Sequence, residues 1–319
     1  MSTTVPNKIN PSRLRLLAVI VLYRVKACEC VALNTLREAM SRIEPGLADV
    51  KIVLYDNTPG GQGIGMLPEG VEFKPDVTNG GLAKAYNYAI SVAEAENREW
   101  LLTLDQDSRL PADFIQKILH AATFVSQMPD VAAVVPRISS DGRALSPFTL
   151  MKTWTLTRNI SDGFIGIPSE DVYAVNSGSM LKISALKTVG GYDPRFPLDF
   201  SDLAIYHRLH CRSLRVFVAG HVHVEHEVSG YDLKRRSSPT RYEQTYRAEE
   251  AAYDEWMGWV GRLMLTLRIV HRLAYQLWRN GGSLCHFKIG TRFLCRRVIY
   301  SRAYRIKNLS RSLKLKANA

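Results

Sequence analysis

The segment Glu99-Trp100-Leu101-Leu102-Thr103-Leu104-Asp105-Gln106-Asp107-Ser108 constrains this chain most, because an apolar run of strand length stops at two carboxylates. Bulky residues from Trp100 to Leu104 suit a strand covered on both faces. In an open α/β sheet, ligands bind just past such strand ends. Asp105 and Asp107 can both turn toward one hard cation there. Mg²⁺ or Mn²⁺ held by one or two carboxylates takes further positions from substrate phosphates. An Asp-x-Asp tripeptide alone also occurs in surface turns, so the surrounding sequence has to decide.

That sequence alternates strand and helix patterns. Strands are expected at 16–23, 50–55, 71–74 and 131–135, with helices near 31–43, 82–95 and 112–125. The order predicts an α/β fold with a mixed, mostly parallel sheet and flanking helices. Gly61-Gln62-Gly63-Ile64-Gly65 is no dinucleotide fingerprint, since its spacing is wrong and Pro68 and Gly70 follow where a helix should open.

Three further groups accompany the carboxylate pair. In Asn79-Gly80-Gly81-Leu82-Ala83-Lys84-Ala85-Tyr86-Asn87, two glycines precede a small-residue helix, so backbone amides at its start can approach a bound nucleotide. Asn176-Ser177-Gly178 follows an apolar run, as small residues lining a pocket would. Leu198-Asp199-Phe200-Ser201-Asp202 opens a helix carrying Tyr206 and Arg208, with one carboxylate suited to a general base and the other to an N-cap.

Charge divides the chain. Of 42 Lys and Arg residues against 30 Asp and Glu, 14 basic and no acidic residues lie from Trp256 onward, so the rest is nearly neutral. Trp259, Val260, Leu263, Leu267, Val270, Ala274, Leu277 and Trp278 fall on one helical arc, and Arg262, Arg268, Arg272 and Arg279 on the opposite one. A second basic, aromatic-bearing segment spans 287–304. The division predicts a main domain over 1–240 and a basic amphipathic helical region over 241–319, which either packs on that domain or lies on an anionic membrane surface. A nucleic-acid or anionic-surface binding module would explain the tail but not the carboxylates, so no nucleic-acid partner is expected. Five cysteines without CxxC spacing and no secretory signal predict a reducing cytosol, and no apolar stretch reaches bilayer-spanning length.

Together these segments resemble the family 2 glycosyltransferases of the GT-A fold, and within them the rhamnosyltransferase-like enzymes of bacterial cell-surface polysaccharide (O-antigen) assembly. The match runs in order over 16–230. The family's first strand ends in a tyrosine, here Tyr23, and its second in Asp-Asn, here Asp56-Asn57. Its Asn-x-Gly-x-Ala-x-Ala-x-Asn is Asn79, Gly81, Ala83, Ala85 and Asn87, and its Leu-Asp-x-Asp-Ser runs from Leu104 to Ser108. Asn176, Ser177 and Gly178 match its Asn-Ser-Gly, and Gly190, Gly191, Tyr192 and Asp193 its Gly-Gly-Tyr-Asp. Asp199, Asp202 and Arg208 match its acidic motif, and His226 its later histidine.

The resemblance implies an inverting glycosyltransferase moving a sugar, rhamnose from dTDP-rhamnose or alternatively galactofuranose or galactose, onto a glycan or lipid-linked acceptor. Asp202 is then the catalytic base, Asp105 meets the ribose side, Asp107 and His226 meet Mg²⁺ or Mn²⁺, and Asp56 meets the nucleobase. Tyr23, Asn79, Gly81, Lys84, Asn176, Ser177 and Gly178 contact the donor, while Asp199 and Arg208 organise the site. The implied location is cytoplasmic, peripheral on the inner face of the cytoplasmic membrane; the oligomeric state is left open. His221, His223 and Glu225 alternate with Val222 and Val224 as on a half-buried strand, which speaks against a zinc site, and His207 and His210 read as helix-surface residues. The chain departs from the family at Ala204, where a glutamate is usual, at Ile205, where tryptophan is frequent, and at Arg24-Val25, which replaces Asn-Pro. Altered acceptor contacts are the expected consequence.

Overall fold

Alternate residues of the first strand divide between two cores, which fixes the architecture. Leu14, Leu16, Ala18, Ile20 and Leu22 enter one buried cluster and Leu17, Val19 and Val21 the other, so β1 (Leu14–Leu22) lies inside a sheet covered on both faces. The computed structural model describes residues 13–63, 65–150, 157–226, 238–278 and 284–308. After β1 come α1 (Val31–Met40), β2 (Ala48–Asp56), β3 (Val71–Pro75), α2 (Leu82–Ala95), β4 (Trp100–Asp105) and β5 (Ser108–Arg109). Next are α3 (Phe114–Val125), β6 (Val131–Ser140), β7 (Arg143–Ser146), β8 (Phe148–Leu150), β9 (Thr157–Asn159) and β10 (Ile165–Gly166). Then follow β11 (Val172–Tyr173), β12 (Ser179–Lys182), α4 (Ile183–Val189), α5 (Ser201–His210) and β13 (Arg215–His226). The chain closes with α6 (Pro239–Trp256), α7 (Trp259–Trp278) and α8 (Leu284–Ile299).

The main sheet runs β10-β13-β6-β12-β4-β1-β2-β3. β1, β2, β3 and β4 are mutually parallel, and β12 is inserted antiparallel between β4 and β6. This is the mixed, mostly parallel α/β arrangement the sequence predicts, with α1 and α3 over one face and α2, α4 and α5 over the other. A small sheet, β11-β8-β9, lies apart from it.

A third core joins Phe196 and Ala204 to α6, α7 and α8. Gly290 lets α7 and α8 cross closely, since a Cβ there would stand 2.8 Å from Leu273 Cδ2. The joint is also ionic. Arg272 grips Glu249 at 2.6 and 2.7 Å, Arg296 reaches Glu250 at 3.0 Å, and Arg305 meets both oxygens of Asp254 at 2.7 and 2.9 Å.

This layer corrects the expected facing of α7. Its buried stripe is Gly261, Leu265, Ile269 and Leu273, with Arg268 and Arg272 turned toward Glu249. The predicted apolar arc is instead the exposed one: Trp259, Leu263, Leu267 and Leu277 are 70%, 47%, 51% and 64% accessible. The helix thus has two apolar faces, and the arginines belong to the protein side. Arg279 lies outside the described residues. Among the described residues no helix is long and apolar enough to cross a membrane.

Candidate active site

Strand register gathers the predicted residues on one sheet edge. Asp105 pairs with Val21 across β4 and β1, Leu22 with Asp56 across β1 and β2, and Asp56 with Pro75 across β2 and β3. The C-terminal ends of four parallel strands therefore bring Asp105, Tyr23, Asp56 and Asp76 side by side, in the crevice position for ligands of open α/β sheets.

Asp56 is fully buried. Its Oδ1 accepts from the Thr58 amide at 3.1 Å and from Gln62 Nε2 at 3.0 Å, while Oδ2 has no hydrogen-bond partner among the described residues. A buried carboxylate oxygen without a donor is costly, and a ligand N–H would satisfy it. Gln62 also donates to the Val25 carbonyl at 2.9 Å, so this side chain joins the backbone bonds of Gly60 and Gly61 in holding the Gly-rich loop after β2.

Gln106, the middle residue of Asp-x-Asp, clamps the next wall. Its Oε1 accepts from the Tyr23 amide at 2.8 Å, and its carbonyl accepts from Ala32 at the start of α1 at 3.1 Å. Asp105 and Asp107 are half-buried on the resulting turn. Among the described residues no group of three or more His, Cys, Asp and Glu side chains is arranged around a metal. Two hard carboxylates on a turn fit a cation such as Mg²⁺ or Mn²⁺ whose other ligands come from substrate oxygens. Cys30, buried beside Asp107, is pushed up by burial and stays a neutral thiol, unlike a soft-metal ligand. The backbone of β13 registers His226 opposite Ser108, next to this turn; its side chain lies outside the described residues.

Asn176, Ser177 and Gly178 are close to the carboxylates, but the first two spend their side chains on positioning. Ser177 Oγ accepts from the Asp105 amide at 3.3 Å and makes a short hydrogen bond with Ser108. Asn176 donates to Ser201 Oγ at 2.9 Å and accepts from the Tyr192 hydroxyl at 3.1 Å, tying the start of α5 to β4.

The turn before α2 also differs from expectation. Its amides are already used: Gly80 donates to Asp76, Gly81 to Asn57 Oδ1 and Leu82 to the Pro197 carbonyl. They form a joint rather than an anion cradle. Gly81, at φ 88, sits so close to Pro197 that a Cβ would come within 2.3 Å of its carbonyl oxygen. Lys84 bonds Asp76 at 3.0 Å, and Asn79 is exposed in a left-handed conformation. Asp76, which the sequence reading passed over, anchors this turn: it also accepts from Tyr55, Thr78 and Gly80, and these donors hold its carboxyl well below the usual range despite its burial.

Asp202 sits in the first turn of α5, one carboxylate oxygen accepting from the Leu203 amide at 2.8 Å. Burial, with the negative charges of Asp105 and Asp199 nearby, pushes its carboxyl up to about 6. Such a group exchanges protons near neutrality, as a general base must. Asp199 instead binds Thr245 at 2.6 Å and Arg241 at 3.4 Å, joining the site to α6, and Arg208 donates to the Gly191 carbonyl. Ala204 and Ile205 are buried in packing clusters, which corrects their reading as acceptor contacts. A glutamate at 204 would face the core shared with α6.

No family model matches the sequence, and no curated protein matches it either. Among solved structures, GalNAc-T7 with UDP, GalNAc and Mn²⁺ is similar at a TM-score of 0.53 and 14% identity, over 94% of this chain and 57% of that one. TarS 1–349 of S. aureus is similar at 0.49 and 13% identity, covering 91% and 73%, and the mannosyltransferase PcManGT of Pyrobaculum calidifontis, with GDP-Man and Mn²⁺, at 0.48 and 13%, covering 96% and 76%. The likeness to GalNAc-T7, together with the mixed sheet and its carboxylate edge, gives this chain the GT-A fold of nucleotide-sugar glycosyltransferases.

Proposed function

We propose that the chain is an inverting glycosyltransferase using a nucleotide sugar, dTDP-rhamnose by the motif resemblance, and a glycan or lipid-linked acceptor. The observation that carries the reading is Asp202, a carboxylate poised near 6 within electrostatic reach of Asp105 on the ligand edge of a GT-A sheet. Asp56 offers its unpartnered oxygen to the nucleobase. Asp105 would meet the ribose side of the donor, and Asp107, with His226 as a further ligand, would hold Mg²⁺ or Mn²⁺. Bound there, such a cation would supply neutralisation of the charge growing on the leaving diphosphate. Asp202 takes the acceptor proton, and attack from the face opposite the leaving group inverts the anomeric centre. The likeness to GalNAc-T7, which contains UDP, GalNAc and Mn²⁺, supports a nucleotide-sugar donor and such a metal.

The test is release of nucleoside diphosphate from dTDP-rhamnose, UDP-galactofuranose and UDP-galactose with Mg²⁺ or Mn²⁺ present. Asp107→Ala is expected to lose most of that release while remaining folded by circular dichroism. Full activity of this variant in a chelator would remove the cation from the scheme.

The exposed arc of α7 supports a place on the inner face of the cytoplasmic membrane. Trp259 and Trp278 bracket a row of exposed aliphatic residues, an arrangement suited to the headgroup boundary. With Arg268 and Arg272 committed to Glu249, apolar burial has to supply most of the binding. The full chain is expected to sediment with vesicles containing phosphatidylglycerol, and Leu263→Ser with Leu267→Ser to release it. If the parent ignores such vesicles at low salt and runs as a dimer, the arc is covered by a second copy instead.

A further inference from the structure

Three tyrosines are fully buried around Asp202: Tyr86 on α2, Tyr192 after α4 and Tyr206 on α5. Two have hydroxyl partners. Tyr206 donates to Ser179 Oγ at 2.9 Å, and Tyr192 to Asn176 Oδ1 at 3.1 Å. Tyr86 packs its ring against Tyr192, centroids 4.7 Å apart, yet its hydroxyl has no hydrogen-bond partner among the described residues.

A buried hydroxyl without an acceptor destabilises the free protein, and phenylalanine would fill the same volume without that cost. The position therefore makes sense if something else accepts from it. Its surroundings say what. Asp105 and Asp202 both act on the Tyr86 hydroxyl electrostatically, so it lies near the residue assigned to the nucleotide side of the donor and near the residue assigned to the acceptor. A donor reaching from one to the other would carry its sugar past this region. Burial and the two carboxylates keep the phenol protonated, so at neutral pH it offers a hydrogen to an oxygen-rich ligand.

We propose that the Tyr86 hydroxyl is a contact for the transferred sugar, donating a hydrogen bond to one of its oxygens near Asp105 and Asp202. The inference rests on the glycosyltransferase reading and adds a sugar-specific residue to it. In the Asn79–Asn87 motif Tyr86 occupies a position the family pattern leaves unspecified, so pattern matching passes over it.

The experiment compares the full-length protein with Tyr86→Phe by calorimetric titration with dTDP-rhamnose, UDP-galactose and UDP-galactofuranose, each against its own nucleoside diphosphate. The expected result is a roughly tenfold loss of affinity for the nucleotide sugar, unchanged affinity for the nucleoside diphosphate, and thermal stability equal to or above the parent's. Equal weakening of both ligands would place Tyr86 in the nucleotide pocket and overturn the proposal. So would an unchanged nucleotide-sugar affinity. If the parent binds the diphosphates but gains nothing from the sugar, the inference fails while nucleotide binding stands. Binding to none of the five compounds would overturn the glycosyltransferase reading and the inference together.

Discussion

Asp202→Asn is expected to lower sugar transfer by about 10²–10⁴ while the protein becomes more stable at pH 8. The two effects have one cause. The folded chain holds the Asp202 carboxyl near 6, above the ordinary 3.8, so it binds its proton more tightly folded than unfolded. Its contribution to stability is complete below the unfolded value and is lost as pH rises through about 6. Asparagine keeps the shape and never ionises, so the gain at pH 8 is roughly 1–3 kcal/mol and disappears near pH 4. In the parent, kcat/KM is expected to fall about tenfold per pH unit below 6 as the base is protonated. A buried carboxylate outside the chemistry would show the stability gain but not this limb. Should Asp199→Asn abolish transfer while Asp202→Asn does not, the roles of the two carboxylates are reversed.

The second large effect lies away from the chemistry. Asp254 is 1% exposed and receives Arg305 through two hydrogen bonds and Arg297 at 3.4 Å. Asp254→Ala leaves two buried guanidinium groups without the carboxylate they share, with Glu250 at 3.8 Å from Arg305 and backbone carbonyls as remaining partners, a change expected to cost about 3–5 kcal/mol. Urea unfolding followed by tryptophan fluorescence reads it, since Trp256, Trp259 and Trp278 all lie in this layer. Limited proteolysis should then cut within α7 or α8 before the sheet. A loss below about 1 kcal/mol would mean that apolar packing, not the ion pairs, closes the layer.

What was legible in the sequence follows from how local each signal is. The continuous apolar run of β4 marks a strand buried on both faces, and the small-residue stretch from Leu82 to Ala95 is a helix with those bounds. β12 was missed because four residues are too few to show a period, although its antiparallel insertion carries Asn176–Gly178 to the carboxylates. α6 falls almost wholly within the region expected to be helical over 241–319, but the role of its acids was not legible there. Glu249, Glu250 and Asp254 look like a solvated face until arginines from 272 to 305 are placed against them. The apolar arc of α7 was read correctly as an arc, but periodicity cannot say which of two apolar faces meets the protein. Gln62, Gln106 and Asp76 act through backbone and side-chain partners set by tertiary structure, so nothing in their neighbourhood announced them.

The acids of α6 have a consequence for how the chain is made. Glu249, Glu250 and Asp254 leave the ribosome before any of the arginines that neutralise them, the last of which is Arg305. Until then α6 exposes Ala248, Ala251, Ala252 and Tyr253 together with three carboxylates that have no counter-charge. Every strand of the sheet precedes α6, so the sheet can assemble during synthesis, whereas the helical layer closes only once Arg305 has emerged. A chain interrupted before Arg305 would therefore present a sheet whose Asp199 joint to α6 is unsupported, linking a competent site to synthesis of the whole helical layer.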